Sequence, residues 1–114
     1  MILRVALFAA LLSFGATDAG AQQNQPRVVF GEGGASCGQW TQARQSPSAK
    51  QGSMAQWIVG FLSGRNLDST TDFLSGTDFD GLTGWFDNYC KAHPLDSLTK
   101  AASELTDELR ARAQ

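Results

Sequence analysis

The sequence predicts an all-α fold: a small single-domain bundle of three main helices plus a short first helix, stapled by one disulfide. Two segments place apolar residues at i, i+3, i+4, i+7 and i+8, the spacing that lines one face of a helix, and a third carries a narrower apolar stripe. No segment alternates apolar and polar residues as a half-buried strand does, so we expect no sheet.

The first 21 residues are predicted to be a secretory signal peptide. Arg4 precedes a short apolar run, and Ala19-Gly20-Ala21 supplies the small residues that a signal peptidase accepts. The apolar run covers residues 5–12, too few to span a bilayer, which needs about 20. No later segment is apolar enough to span a membrane. We therefore expect a cleaved signal, a periplasmic location and no stable membrane insertion.

Cys37 and Cys90 are the two cysteines of the chain. In an oxidising compartment, two cysteines of a small exported domain usually pair. A redox pair would favour the spacing Cys-x-x-Cys, and a nucleophilic thiolate would need a base, for which His93 is the single candidate. The pattern therefore favours a structural disulfide between Cys37 and Cys90.

The charge balance excludes a nucleic-acid-binding role. Nine Lys plus Arg stand against eleven Asp plus Glu, and Arg4 and Asp18 belong to the predicted signal, so the mature chain keeps eight against ten, a net charge of −2. A protein that binds nucleic acid usually carries an excess of basic residues, which this chain lacks. Hydrophobic residues make up 42% of the chain, too many for a disordered acidic tail. With one histidine and two cysteines, the chain has too few ligands for a zinc finger, and we expect neither metal nor cofactor.

Residues 22–36 are predicted to form a flexible N-terminal arm, because they are rich in Gln and Gly and broken by Pro26. The apolar patch of the arm is Val28-Val29-Phe30. Two interpretations stay open for it: an extended segment that lies on the domain, or a partner-binding strand. Val59, which falls off the apolar stripe of its helix, is the fourth candidate partner-binding residue.

The helical domain is predicted to cover residues 37–112. A short first helix spans residues 37–44, and the second runs from Ser53 to about Arg65. The stripe of the second helix consists of Met54, Trp57, Ile58, Phe61 and Leu62. Gly60 and Gly64 lie beside this stripe one turn apart, and their cost to helix stability predicts that another backbone packs closely there.

Polar residues connect the second helix to the third, and Phe73-Leu74 is expected to reach into the core. Asp78 or Asp80 is predicted to cap the third helix, which runs to about Ala92. Its apolar face consists of Leu82, Trp85, Phe86, Tyr89 and Cys90. The aromatic residues are interpreted as core and not as a platform for a sugar or another ligand, because they follow the helical spacing; they are Trp40, Trp57, Phe61, Trp85, Phe86 and Tyr89.

His93-Pro94 is predicted to start the last helix, with His93 as the cap and Pro94 at the first helical position. The stripe of this helix consists of Leu95, Leu98, Ala102, Leu105 and Leu109. Two supporting i, i+4 ion pairs are expected, Asp96 with Lys100 and Glu108 with Arg112.

Histidine and aspartate are catalytic or metal-binding in many proteins, but their positions in this sequence indicate structural roles. A lone histidine beside a proline is typical of a cap. Five aspartates fall in one stretch of the chain, Asp68, Asp72, Asp78, Asp80 and Asp87. A calcium loop counted from Gly76 lacks its first acidic ligand, and about 93 mature residues leave little room for a glycosidase cleft. We interpret these aspartates as helix caps and expect no enzymatic activity.

The order of motifs resembles the HdeA/HdeB group of small periplasmic proteins. The motifs are a leader, Cys-x-x-Trp, then Trp-Ile-Val-Gly-Phe-Leu-Ser-Gly, an Asp-rich connector, and Trp-Phe-Asp-Asn-Tyr-Cys-Lys-Ala-His-Pro-Leu. The resemblance covers residues 37–109. It implies a binding protein without catalysis, a homodimer at neutral pH that opens in acid and holds unfolding clients as an acid-stress chaperone.

A second group is similar in size, signal and cysteine pair: the helical immunity proteins that block type VI secreted amidases. That resemblance implies a folded inhibitor that binds a secreted toxin enzyme at neutral pH. The sequence leaves both functions open, and under either one the expected partners are proteins.

Overall fold

The computed structural model describes residues 27–114, and within them the chain forms four α-helices, one short 3-10 helix and no strand. The 3-10 helix is Gly31–Gly34, and the α-helices are α1 (Cys37–Arg44), α2 (Ala49–Leu67), α3 (Phe79–Ala92) and α4 (Leu98–Arg112). The predicted all-α bundle is confirmed. The predicted signal peptide and residues 22–26 lie outside the described residues.

Each α-helix begins after a residue whose side-chain oxygen accepts a backbone N–H of the first turn. These capping residues are Ser36, Ser48, Asp78 and Ser97. Such a bond satisfies one of the four N–H groups that a helix start leaves unpaired. The prediction that an aspartate caps α3 is confirmed for Asp78, whose Oδ1 accepts the N–H of Gly81 at 2.7 Å.

The start of α4 was predicted too early. His93 ends α3, and α4 begins only at Leu98, because the turn between them is bound to the start of α1. The N–H of Cys37 donates to the carbonyl of Asp96 at 2.7 Å, and the N–H of Gly38 donates to the carbonyl of Pro94 at 2.9 Å. The N–H of Leu98, which would bond to the carbonyl of Pro94 in a helix starting there, donates to the carbonyl of Ala35 instead, at 2.8 Å.

Two further details of the last helix follow from this shift. Leu95 is 95% exposed in the turn and does not join the apolar stripe of α4. The expected pair of Asp96 with Lys100 does not form, since Lys100 binds Glu104 instead. The pair of Glu108 with Arg112 is confirmed, with 3.2 Å between nitrogen and oxygen.

The core receives side chains from all four helices and from the connector between α2 and α3. The largest fully buried side chains are Trp40, Phe86, Met54, Ile58, Leu62, Leu98 and Leu105. Phe73 joins them from the connector, as predicted. Trp57 and Phe61 are only partly buried and pack against the edge of this core.

The predicted close packing at Gly60 and Gly64 is wrong within residues 27–114. A Cβ added at either glycine would meet no atom within 4 Å. The two glycines therefore face open space on α2.

No helix between residues 27 and 114 is both long and apolar enough to cross a bilayer.

The residues just before Cys37 were predicted to belong to a flexible arm, but they are packed on the bundle. The 3-10 helix contacts α2 and α4, and Gly33 is buried. The packed part of the chain therefore starts near Phe30. Glycine is the physical reason, because a backbone without side chains lies close against Trp57.

The predicted disulfide is confirmed. Cys37 at the start of α1 is bonded to Cys90 near the end of α3, with a Cα–Cα distance of 4.6 Å. Both cysteines are buried, and they are 53 positions apart in the sequence. The bond therefore closes a loop that contains α1, α2 and most of α3.

Removing this bond with the double substitution Cys37→Ala/Cys90→Ala is expected to lower the free energy of unfolding by about 4 kcal/mol. The loss is expected because a crosslink between residues 53 positions apart restricts the unfolded chain. Urea titration followed by circular dichroism measures it, with Gly60→Ala as a control at an open surface position. A double variant with the urea midpoint of the wild type would contradict the prediction.

Candidate functional site

The N-terminal strap, defined here as residues 30–34, lies across α2 and α4 ahead of the disulfide. Trp57 on α2 donates its indole N–H to the carbonyl of Phe30 at 2.8 Å. Thr99 on α4 donates its hydroxyl to the carbonyl of Gly33 at 2.9 Å. Both donors act on the main chain of the strap, so they hold its backbone rather than particular side chains.

Glycine is required at two positions of the strap. A Cβ on Gly33 would lie 2.2 Å from the Trp57 ring and 2.6 Å from the Thr99 hydroxyl. At Gly31 φ is +80°, a left-handed conformation that glycine adopts without strain, and a Cβ there would lie 2.9 Å from Trp57. A Cβ on Gly34 would meet nothing within 4 Å. The contact with the bundle is therefore made by Gly31 and Gly33.

Glu32 ties the strap to α2 through its side chain. Its carboxylate accepts from the ammonium of Lys50 at 2.7 Å and from the hydroxyl of Ser53 at 2.9 Å. These bonds, first that of Lys50 and then that of Ser53, hold the pKa of Glu32 below its usual value. The side chain of Glu32 is 23% exposed, so this tie lies at the surface of the protein.

The four predicted partner-binding residues do not lie on one surface. Val28 and Val29, just before the strap, and Phe30, its first residue, are exposed, with 79%, 42% and 87% of their surface accessible. Val59 is half-buried and packs partly against the core. It follows Trp57 by two positions, a rotation of about 200° around α2, so it lies on the side away from the strap.

Asp87 joins α3 to α1. Its carboxylate accepts the indole N–H of Trp40 at 2.9 Å and two N–H groups of Arg44 at 2.8 and 2.9 Å. The hydrogen bonds with Asp87 raise the pKa of Arg44. Because Trp40 is fully buried, Asp87 supplies the acceptor that its indole needs away from water.

Two more carboxylates hold α3 to its neighbours. Glu108 on α4 accepts the indole N–H of Trp85 at 2.6 Å. Asp96, in the turn before α4, accepts the hydroxyl of Tyr89 at 2.6 Å. Burial first, and then the bond to Asp96, raise the pKa of Tyr89 to about 12. Both aromatic residues thus present a packed ring and a polar tip that a carboxylate satisfies.

His93 stacks on Tyr89 with ring centroids 4.2 Å apart, and its Nδ1 lies 3.0 Å from the carbonyl of Tyr89. This geometry is that of a residue closing the end of α3. Asp78 caps the start of the same helix, and Asp72 accepts the amide of Asn66 at 2.8 Å. Of the aspartates interpreted as helix caps, Asp78 caps the start of α3, whereas Asp72 and Asp87 bind side chains of other elements instead.

Among residues 27–114, every hydrogen bond that joins the side chains of two different elements is accepted by a carboxylate. The acceptors are Glu32, Asp72, Asp87, Asp96 and Glu108. The same part of the chain has no group of three or more His, Cys, Asp or Glu side chains placed to hold a metal ion. The acidic side chains therefore act one by one, as links between elements.

Sequence reasoning missed the strap and these links. The signal for the strap was the pair Gly31 and Gly33 around an acidic residue, a few positions before the capping Ser36. Composition alone does not separate glycines that permit close packing from glycines of a flexible segment. The links between Trp and carboxylate have no sequence signal, because each joins residues at least 23 positions apart.

Comparisons of the chain with protein-family models, with curated proteins and with solved structures found no match. The resemblance to the HdeA/HdeB group thus stays a prediction from sequence motifs.

Tyr89 is the one tyrosine of the chain, so its ionisation is observed without overlap. We expect the tyrosinate absorbance to appear near pH 12 in the folded protein and about two pH units lower in urea, near the usual value for tyrosine. Because the folded pKa is raised, the stability that it contributes is full below about pH 10 and is lost as the pH rises towards 12.

Asp96→Asn removes the negative charge beside the tyrosine hydroxyl, and we expect it to lower the pKa of folded Tyr89. Asp107→Asn, on the exposed face of α4, is the matched control. A folded protein whose tyrosine titrates as it does in urea would contradict the described burial and bond.

Proposed function

We propose that this chain is a non-enzymatic periplasmic binding protein that holds unfolding polypeptides in acid, as its resemblance to the HdeA/HdeB group implies. The observation that carries the proposal is that, among residues 27–114, carboxylates accept every hydrogen bond between two side chains of separate elements. A fold joined in this way is sensitive to acid, because acid neutralises every one of these acceptors.

Protonation weakens each link for a stated reason. A carboxylate is a stronger acceptor than a neutral acid, and bonds with an ionised partner are about twice as strong as neutral ones. Asp87 would lose its charge attraction to Arg44, and Glu32 would lose that to Lys50. Side-chain carboxyl groups of proteins protonate around pH 4. Protonation of the linking carboxylates would therefore weaken the contacts of α3 with α1 and α4.

The lowered pKa of Glu32 sets the direction in which the stability of the fold changes with pH. Its bonds to Lys50 and Ser53 lower its folded pKa, so the stability they contribute is full above the unfolded value. That stability is lost as the pH falls through the folded value. The strap is thus one of the contacts that acid loosens.

Net charge adds a second force for opening. The described residues carry eight Lys plus Arg and ten Asp plus Glu, a net charge of −2. When every carboxyl is neutral and His93 is charged, the net charge becomes +9. Repulsion among like charges destabilises a compact state. Acid therefore removes the links and raises the repulsion at the same time.

The disulfide limits how far the chain opens. Cys37 and Cys90 do not titrate, so α1 stays attached to α3 at every pH. The apolar faces of α2 and α4 remain tethered to this pair and become accessible without complete unfolding. Such a surface suits binding to the exposed apolar segments of another unfolding protein.

We expect the full chain to suppress the acid-induced aggregation of a globular enzyme at pH 2–3, measured by light scattering, and not to suppress aggregation at pH 7. Circular dichroism and binding of a hydrophobic dye from pH 7 to 2 should show exposure of apolar surface over the same range. Lack of suppression at excess protein would reject the holding function. A fold that binds no dye down to pH 2 would instead favour the immunity class.

A series of variants, each of which replaces one carboxylate by its neutral amide, tests whether loss of the carboxylate links causes the bundle to open in acid. Glu32→Gln, Asp87→Asn and Glu108→Gln each weaken one link already at neutral pH, because a neutral amide replaces the charged acceptor, so each should shift the pH midpoint of dye binding upwards. Asp107→Asn removes the same charge from an exposed residue that makes no side-chain hydrogen bond to residues 27–114, and should leave the midpoint nearly unchanged. Equal shifts in all four variants would assign the effect to net charge alone.

A further inference from the structure

The polar contacts that hold the strap are directed at main-chain carbonyls. Trp57 donates to the carbonyl of Phe30, and Thr99 donates to the carbonyl of Gly33. A third bond of this kind follows just after the strap, where the N–H of Leu98 donates to the carbonyl of Ala35 at 2.8 Å. Every polypeptide offers such carbonyls, so these donors do not select a sequence.

Sterics add one requirement to this surface. Between Trp57 and Thr99 there is no room for a Cβ on the residue that occupies the position of Gly33. The stacked rings of Trp57 and Phe61, with centroids 5.3 Å apart, lie on the same side of α2 and are only partly buried. The surface under the strap therefore combines main-chain donors, an aromatic pair and a slot for a residue without a side chain.

We propose that the groove between Trp57 and Thr99 is a polypeptide-binding site, and that the strap is its internal occupant. When the strap leaves, a segment of an unfolding client that adopts the same 3-10 turn takes its place on the same donors, with glycine in the slot. This inference rests on the proposed function, since it names the surface on which a client is held.

Few polar contacts hold the strap to the bundle. After the strap, Ala35 and Ser36 are fixed by backbone bonds to the turn before α4 and by the capping of α1. Before it, Val28 and Val29 are 79% and 42% exposed, and Phe30, its first residue, is 87% exposed. The strap itself is held by the two carbonyl bonds, by the tie of Glu32 to Lys50 and Ser53, and by the packing of the buried Gly33 against Trp57.

The occupant is inferred from the strap itself, which is a short main-chain segment already seated on the groove. An apolar small molecule offers no acceptor to the N–H of Trp57 or to the hydroxyl of Thr99, so it would lose both hydrogen bonds. A polypeptide in the 3-10 turn of the strap supplies both acceptors, as Phe30 and Gly33 do. The groove therefore fits a peptide better than it fits a lipid or an apolar ligand.

The test uses two neighbouring glycines as a matched pair. In the full chain, Gly33→Ala places a Cβ against the Trp57 ring and should expel the strap, whereas Gly34→Ala points into open space and should not. The probe is a fluorescent peptide with the sequence of residues 27–36 and blocked ends. Its binding is measured by fluorescence anisotropy at pH 7, after circular dichroism has confirmed that both variants are helical.

We expect the peptide to bind Gly33→Ala at least about tenfold more tightly than Gly34→Ala or the wild type, because an internal occupant lowers the apparent affinity by the fraction of open sites. A peptide with alanine in place of its own Gly33 should bind at least about tenfold more weakly, since the slot excludes a Cβ. Glu32→Gln, which weakens the strap without a steric change, should bind the peptide with intermediate affinity.

Equal peptide binding by Gly33→Ala and Gly34→Ala would overturn the proposal that the groove binds polypeptides. Equal binding of the glycine peptide and the alanine peptide would overturn it as well. If the wild type still holds clients in acid, the proposed function survives that result, and clients bind elsewhere. If the peptide binds selectively but no client is held in acid, the groove is supported and the acid-holding function fails.

Discussion

The disulfide between Cys37 and Cys90 ties the first residue of α1 to the end of α3. Beside the disulfide, both α1 and α3 are hydrogen-bonded to the turn that precedes α4. The N–H groups of Cys37 and Gly38 donate to carbonyls of the turn before α4. The same turn supplies Asp96, which accepts the hydroxyl of Tyr89 on α3. A covalent bond that does not titrate thus fixes the point at which α1, α3 and the start of α4 meet, and the remaining contacts are arranged around it.

Away from this point, the elements are joined by contacts of a different kind. Asp87, Glu108 and Glu32 each accept bonds from a neighbouring element, and two of them satisfy an indole N–H at the edge of the core. Such links are strong when the carboxylate is ionised and weak when it is neutral. The bundle therefore combines one contact that is independent of pH with several that depend on it. The proposed opening in acid rests on this combination.

Most of the fold could be predicted from the sequence, because local signals set it. Apolar periodicity located the helices, the boundaries of α1 matched, and Asp78 caps α3 as its position suggested. The errors arose where distant residues override local preference. Pro94 favours a helix start, but its carbonyl is bound by Gly38 from α1, and the helix begins at Leu98. Gly31 and Gly33 resemble a flexible segment until Trp57, more than twenty positions later in the chain, is brought against them. The groove has no local signature, since its donors lie on α2 and α4.

The central claim is that ionised carboxylates hold the elements together around a fixed disulfide, and linkage between protons and folding tests it most directly. The measurement is the free energy of unfolding from urea titrations at successive pH values between 7 and 3, with the disulfide intact. We expect this free energy to fall as the pH falls, because the folded pKa of Glu32 is lowered and the unfolded chain therefore binds more protons than the folded one. A free energy that is the same at pH 7 and pH 3 would mean that no proton is taken up on unfolding, and would contradict the account.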